Sequence, residues 1–259
     1  MFLREIISSA DFSRLINELN AAQNPVALFG LPKTARAAYI RALAQVTGRK
    51  IIVLTKDERS ANKLAEDVDF FREGVRVFSP RDLTLRPLES FSREYEYRRI
   101  RVLGNLVGNK AQVIISPTEA ALMYTMPREK FVENTLTIHD TDSLNPTEFS
   151  QKLVNAGYIR RDMVEGPGQF AVRGDIIDLY TPDMPRPVRI ELWGDEIDRI
   201  NTFDLETQRR TENIKKVHIS PVKEVLFTDR EKALNALRGF RQKLTAKQRE
   251  NFDRATEKD

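Results

Sequence analysis

Two hydrophobic rhythms divide this chain. Up to about Met126, short continuous apolar runs alternate with stretches of helical spacing. Phe12, Leu15, Ile16 and Leu19 recur at helical intervals just after Asp11, a residue type that caps helices. Pro25 to Phe29 is a short apolar run ended by Gly30 and predicts a buried strand, and Thr34 to Val46 predicts a helix. Lys50 to Thr55 encloses a continuous apolar run, the pattern of a parallel strand covered on both faces. Helices follow over Glu58–Phe71 and Ser92–Val107, the latter ending at Gly108, where a C-terminal glycine belongs. Strands are predicted over Val75–Phe78 and Ala111–Ser116. Repeated strand–helix units with apolar strands specify a parallel α/β sheet.

Beyond Pro127 the strands alternate apolar with polar positions, as in an antiparallel sheet exposed on one face. Leu136–Ile138, Phe170–Arg173, Ile176–Tyr180, Val188–Trp193, Ile197–Ile200 and Val217–Ile219 read this way. A helix is predicted from about Pro146 to Ala156, with Asn145 as cap and Pro146 at its first position. After Pro221 the pattern is helical and highly charged: Asp229 is placed to cap a helix carrying Leu234, Leu237 and Phe240 on one face. From Lys243 onward apolar residues thin out, so this last helix buries little, and we expect the chain to be a fragment of a longer protein. The expected organisation is α/β: residues 1–126 a parallel-sheet domain, 127–213 an inserted small α+β domain, and 214–259 a helical segment returning to the first domain.

Composition narrows the chemistry. Of 259 residues, 41% are apolar and 31% charged, with signs intermixed, so a core can form and extensive disorder is disfavoured. Lys plus Arg number 42 against 38 Asp plus Glu, and this formal +4 does not by itself specify nucleic-acid binding. The absence of cysteine removes disulfides, thiol nucleophiles and cysteine-ligated metal. With His139 and His218 as the only histidines, a His-rich metal site is excluded, and no cofactor is expected. No apolar run approaches 18 residues and the N-terminus lacks a signal-peptide pattern, so a cytoplasmic protein, monomeric and without membrane contact, is expected.

Three segments carry candidate chemistry. Gly30-Leu31-Pro32-Lys33-Thr34 stands where a phosphate-binding loop would, between a strand and a helix. Such a loop needs four residues between its first and second glycines and then Lys-Ser/Thr. Here Lys33-Thr34 follows Gly30 too closely to wrap a triphosphate, and Pro32 removes an amide donor. An inactive loop at Gly30, Lys33 and Thr34 is therefore predicted. In Val188–Trp193, period-2 alternation puts Arg189, Glu191 and Trp193 on one face and Val188, Ile190 and Leu192 on the other. Arg and Trp are the residue types that dominate protein-docking surfaces. A solvated face with an ordinary Arg189–Glu191 pair explains the same residues, and the sequence leaves both open. Ser92–Arg101 interleaves Tyr and Arg as a base-stacking surface would, but its acids fit a charged helix with inward tyrosines better. Asp195-Glu196 follows Gly194 in a predicted turn, better explained by turn chemistry than by acid–base catalysis.

Gly157–Val164, then Pro167–Tyr180 with its Arg173-Gly174-Asp175-Ile176-Ile177-Asp178 core, then Pro187–Trp193, closely resemble the amino-terminal region of bacterial transcription-repair coupling factors. The same stretch is similar, more loosely, to the UvrA-binding domain of UvrB. Gly30–Arg36 resembles the family's degenerate loop, and Leu85–Arg101 its following linker and helix. The resemblance implies a P-loop-like parallel domain that has lost its ATPase apparatus, bearing an inserted domain like the second domain of UvrB. It implies a non-catalytic adaptor that brings UvrA to lesions where RNA polymerase has stalled. The ATP-dependent translocase acting on double-stranded DNA and the polymerase-binding module would lie in the longer protein. By the same resemblance, Arg160, Arg173, Arg189 and Glu191 match UvrA-contacting positions, with Trp193 where these families often have Phe. Phe170 completes the expected docking set. Ala171 stands where UvrB-like proteins carry another Arg. The alternative is a UvrB-like nucleotide-dependent protein that binds damaged DNA.

Overall fold

The computed structural model describes residues 2–21, 25–71, 74–81, 93–226 and 230–256. It divides into two compact units, Met1–Arg81 with Glu94–Val132, and a second that contains Glu133–Asp259. In the first lie α1 (Phe2–Ile7), α2 (Ala10–Asn20), α3 (Lys33–Thr47), β1 (Ile51–Thr55), α4 (Glu58–Asp69), β2 (Val75–Val77), α5 (Glu94–Val107), β3 (Val113–Pro117), α6 (Thr118–Leu122) and most of α7 (Arg128–Glu133). The second holds β4 (Leu136–His139), α8 (Pro146–Asn155), β5 (Ile159–Arg160), β6 (Gln169–Arg173), β7 (Ile176–Leu179), β8 (Val188–Trp193), β9 (Glu196–Phe203), β10 (Arg210–Asn213), β11 (Lys216–Ile219), α9 (Arg230–Gln242) and α10 (Ala246–Thr256).

The first unit is a three-stranded parallel sheet in the order β1-β3-β2. Central β3 is buried throughout, as its unbroken Val-Ile-Ile run requires. One core joins Val113 and Ile115 to Ala37, Ala61 and Val68 from α3 and α4. Opposite it, Ile114 packs with Phe78, Val102 and Ala120. Small alanines on α3 and α4 let the helices approach the sheet closely. The caps fit local chemistry: Asp57 accepts the Ser60 amide at α4, and Ser9, rather than Asp11, accepts the Phe12 amide at α2.

Several expectations in this unit are corrected. Pro25 to Phe29 is not a strand: Val26 packs with α1–α3, while Leu28 is half-exposed and Phe29 is exposed. Edge strand β1 is covered on one face only, because Ile51 and Val53 join the core while Ile52 and Leu54 are exposed. An apolar run specifies a strand but not how many of its faces neighbours cover. Past α5, the left-handed conformation falls on Asn109 (φ 56°) and not on Gly108. The Leu85–Leu88 linker and the Asp229 cap lie outside the described residues.

In the second unit six strands run in the order β10-β9-β8-β7-β6-β5, and β4 pairs separately with β11. This unit therefore continues beyond Asn213. The molecule is thus mixed α/β: a parallel sheet, then a six-stranded sheet that is antiparallel except where edge strand β5 runs parallel to β6, and the antiparallel β4–β11 pair. Helix α8 starts as the sequence predicts: Asn145 accepts the Thr147 and Glu148 amides, with Pro146 in the first turn. It packs Phe149 and Leu153 toward the sheet's apolar face, where Phe170, Ile177, Leu179, Val188, Ile190 and Ile200 are all fully buried. Strands β5 and β10 are absent from the sequence reading. The first has two residues, and the second, Arg-Thr-Glu-Asn, has no apolar position to give it a rhythm.

Candidate docking face

The register of the six-stranded sheet creates the site. Ala171, Asp178, Arg189 and Asn201 form one cross-strand row, and Arg173, Ile176, Glu191 and Arg199 form the next. All lie on the face opposite the apolar one, since side chains alternate along each strand. At the end of β8, Trp193 shares this parity and is 84% exposed. It precedes the Gly194-Asp195 turn, where Gly194 takes φ 63° and Trp193 pairs with Glu196, the hairpin that the sequence predicts.

Asp178 organises the first row. Its side chain is 1% exposed. Arg189 donates to both carboxylate oxygens, Nε to Oδ1 at 2.7 Å and Nη2 to Oδ2 at 2.9 Å. Arg173 adds a third bond, Nη2 to Oδ2 at 2.6 Å. The Arg189 guanidinium lies over the Phe203 ring at 4.7 Å, a cation–π contact, and donates to Gln208 at 3.3 and 3.4 Å. Hydrogen bonding to Asp178 raises the Arg189 pKa above its already high ordinary value, while burial opposes the rise. Gln208 is held in a left-handed turn (φ 57°) closed by Asp204, which accepts the Thr207 amide and hydroxyl at 2.9 Å.

Glu191 works in the second row. It accepts from Arg210 at 2.6 Å and lies 3.9 Å from Arg199, which itself pairs with Asp198 at 2.7 Å. It is not hydrogen-bonded to Arg189, so the ordinary Arg189–Glu191 pair is not what forms. Glu191 Oε1 and Asn201 Nδ2, both on this face, are buried without a hydrogen-bond partner.

The predicted residues do not all meet here. Arg173, Arg189, Glu191 and Trp193 share the polar face. Phe170 is fully buried in the apolar core, as its opposite parity to Arg173 dictates, and has no surface to offer a partner. Arg160 pairs with Phe170 on edge strand β5 and, with Thr147, Ser150, Val154 and Val172, lines a groove of about 260 Å³ on the helix-covered face. Asp178 supplies an acid to Arg173 and Arg189 from within the sheet. Sequence reading missed Asp178, Gln208, Arg199 and Arg210. Alternation gives the face of Asp178, but its closeness to Arg189 follows only from register.

The matching stretch lies squarely on this sheet. Residues 136–225 match the UvrB interaction domain. Over 234 residues, 90% of the chain, it is 32% identical to the transcription-repair-coupling factor of Bacillus subtilis (strain 168), and it covers 20% of that protein. It is 32% identical over 202 residues to the transcription-repair-coupling factor of Staphylococcus haemolyticus, with 77% of this chain and 17% of that protein aligned. The chain thus spans about a fifth of the length of these relatives. Both comparisons bear out the resemblance read from Gly157 to Trp193. The UvrB interaction domain match takes in β4 to β11 and with them the whole polar face.

The remaining candidates are bland. Gly30 takes φ 77°, and Pro32 precedes α3 without a side-chain cap bond; Lys33 and Thr34 are exposed in the first turn. His139 is 3.5 Å from Asp142, and His218 contacts the Thr137 hydroxyl at 2.9 Å. Among the described residues no cluster of His, Asp and Glu is arranged to hold a metal. Tyr97 is buried and Arg98 lies over the exposed Tyr95 at 5.8 Å, so this part of α5 has one inward tyrosine and one outward. No helix among the described residues is long and apolar enough to cross a membrane.

Proposed function

We propose that this chain is the UvrA-docking region of a cytoplasmic transcription-repair coupling factor, acting as a non-catalytic adaptor. UvrA seats on the polar face of the six-stranded sheet. The carrying observation is the exposed Trp193 on the same face as a preset Arg173–Asp178–Arg189 network. An exposed aromatic beside fixed guanidinium geometry is the arrangement that concentrates binding energy at interfaces.

Residues 127–213 are the docking domain in this reading, and residues 1–126 are the remnant of a P-loop-like domain whose short Gly30–Thr34 loop no longer serves ATP. Strand β11, paired with β4, belongs to the docking unit as well, and the residues past the matched segment lead toward the part of the longer protein in which RNA polymerase, double-stranded DNA and the ATP-driven motor are engaged. Arg160 reaches the partner only around the β5 edge and contributes less than Arg173.

A binding isotherm with purified UvrA tests this reading. Arg173→Ala should weaken binding at least tenfold, about 1.4 kcal/mol, and Arg160→Ala by less. Wild-type affinity in Arg173→Ala would move the interface elsewhere. Magnesium-dependent ATP turnover abolished by Lys33→Ala would favour the UvrB-like enzyme instead.

A further inference from the structure

We infer that Asp178 is a positioning residue for partner docking, acting through Arg173. This rests on the docking reading above. The donors divide unequally between the two arginines. Arg189 commits Nε, Nη1 and Nη2 to Asp178 and Gln208, stacks on Phe203, and has a side chain only 12% exposed. It is spent within the fold. Arg173 gives only Nη2 to Asp178 and is 46% exposed, so its Nε and Nη1 point no bond at any described residue. Arg173 is therefore the guanidinium that offers donors to a partner, and Asp178 is what holds it.

The arrangement follows from the register. Asp178 sits on central β7 with Ala171 directly opposite on β6 and Arg189 opposite on β8. Ala171 brings no polar group to compete for the carboxylate, which leaves Oδ2 for Arg173 to share with Arg189. Without Asp178, Arg189 would still be held by Gln208 and Phe203, while Arg173 would lose its one bond and rotate freely beside a like charge. With it, one charge is neutralised and the Arg173 plane is set before the partner arrives. Ordering a long side chain in advance removes a cost otherwise borne on association. Acids match the arginines of this face: Arg173 and Arg189 share Asp178, Arg199 pairs with Asp198, Arg210 pairs with Glu191, and Glu196 stands opposite Trp193. The partner group that fits Arg173 Nε and Nη1 is a hydrogen-bond acceptor such as a carboxylate.

A double-mutant cycle on the full chain tests this with UvrA as the probe. Asp178→Asn is close to isosteric and should weaken binding at least fivefold. In an Arg173→Ala background the same change should cost less than twofold, because the group it positions is gone. A merely structural Asp178 would give the same factor in both backgrounds, and that result overturns the inference. So does wild-type affinity in Asp178→Asn when Arg173→Ala is weakened. Wild-type affinity in Arg173→Ala instead strikes the docking reading, and the inference with it. Should Asp178→Asn not fold, the ¹⁵N spectrum of the wild-type arginine side chains decides. An Arg173 guanidinium whose terminal nitrogens rotate slowly supports the inference, and one that rotates as freely as that of exposed Arg14 overturns it.

Discussion

Arg173 and Arg189 are both arginines on one strand face, yet burial gives them different consequences. Removing Arg189 leaves a carboxylate at 1% exposure with one of three bonds and strips the Phe203 ring of its cation. Loss of one partner of a buried pair is strongly destabilising, so Arg189→Ala should cost about 3 kcal/mol in a thermal or denaturant melt. Arg173→Ala, at the exposed end of the network, should cost about 1 kcal/mol or less. Equal costs would contradict the division of roles. Asp204 gives a pH signature. The Thr207 amide, and then its hydroxyl, hold the Asp204 carboxyl below the usual carboxylate range. Its contribution is complete above the unfolded value near ~4 and is lost as pH falls through the lowered folded value. Between pH 5 and 2 the wild type should therefore lose melting temperature more steeply than Asp204→Asn. Parallel slopes would show that this turn contributes nothing. Which residues face outward along β8 was legible from alternation alone. That Asp178 meets Arg189 was not, because alternation fixes a face while contact needs register.

At the scale of elements, local chemistry predicted starts and stops better than coverage. Asn145-Pro146 announced α8, and Gly194-Asp195 announced the β8–β9 hairpin, because each is a local geometric requirement. Phe29, Ile52 and Leu54 misled for the opposite reason: their exposure depends on which elements lie alongside, and strand-like composition carries no record of that. The exit from α8 is a local requirement of the same kind. Gly157 takes φ 91°, and a Cβ there would meet Val222 Cγ2 at 3.2 Å and Lys223 Cγ at 3.1 Å. The Val222 amide donates to Ala156, and the Tyr158 hydroxyl donates to the Ser220 carbonyl at 2.9 Å, so this corner ties α8 to the segment after β11. Gly157→Ala should destabilise the second unit by about 1–3 kcal/mol, from the left-handed backbone and the crowding together. A melt unchanged from wild type would mean that the corner relaxes freely.

For the whole molecule, each unit has its own core, and the matching family segment, residues 136–225, falls in the second. The parallel sheet of the first keeps its α/β pattern, and in the docking reading its short Gly30–Thr34 turn serves no nucleotide. Function in this account therefore resides on one face of one sheet, and the two faces of that sheet give opposite expectations. A photoreactive benzophenone amino acid placed at Trp193 would stand on the polar face. The same group at Lys152, an exposed residue of α8 outside the Arg160 groove, would stand on the helix-covered side. With UvrA in excess and brief irradiation, docking on the polar face predicts a covalent adduct from position 193 and none from position 152. Capture from 152 and not from 193 would contradict it.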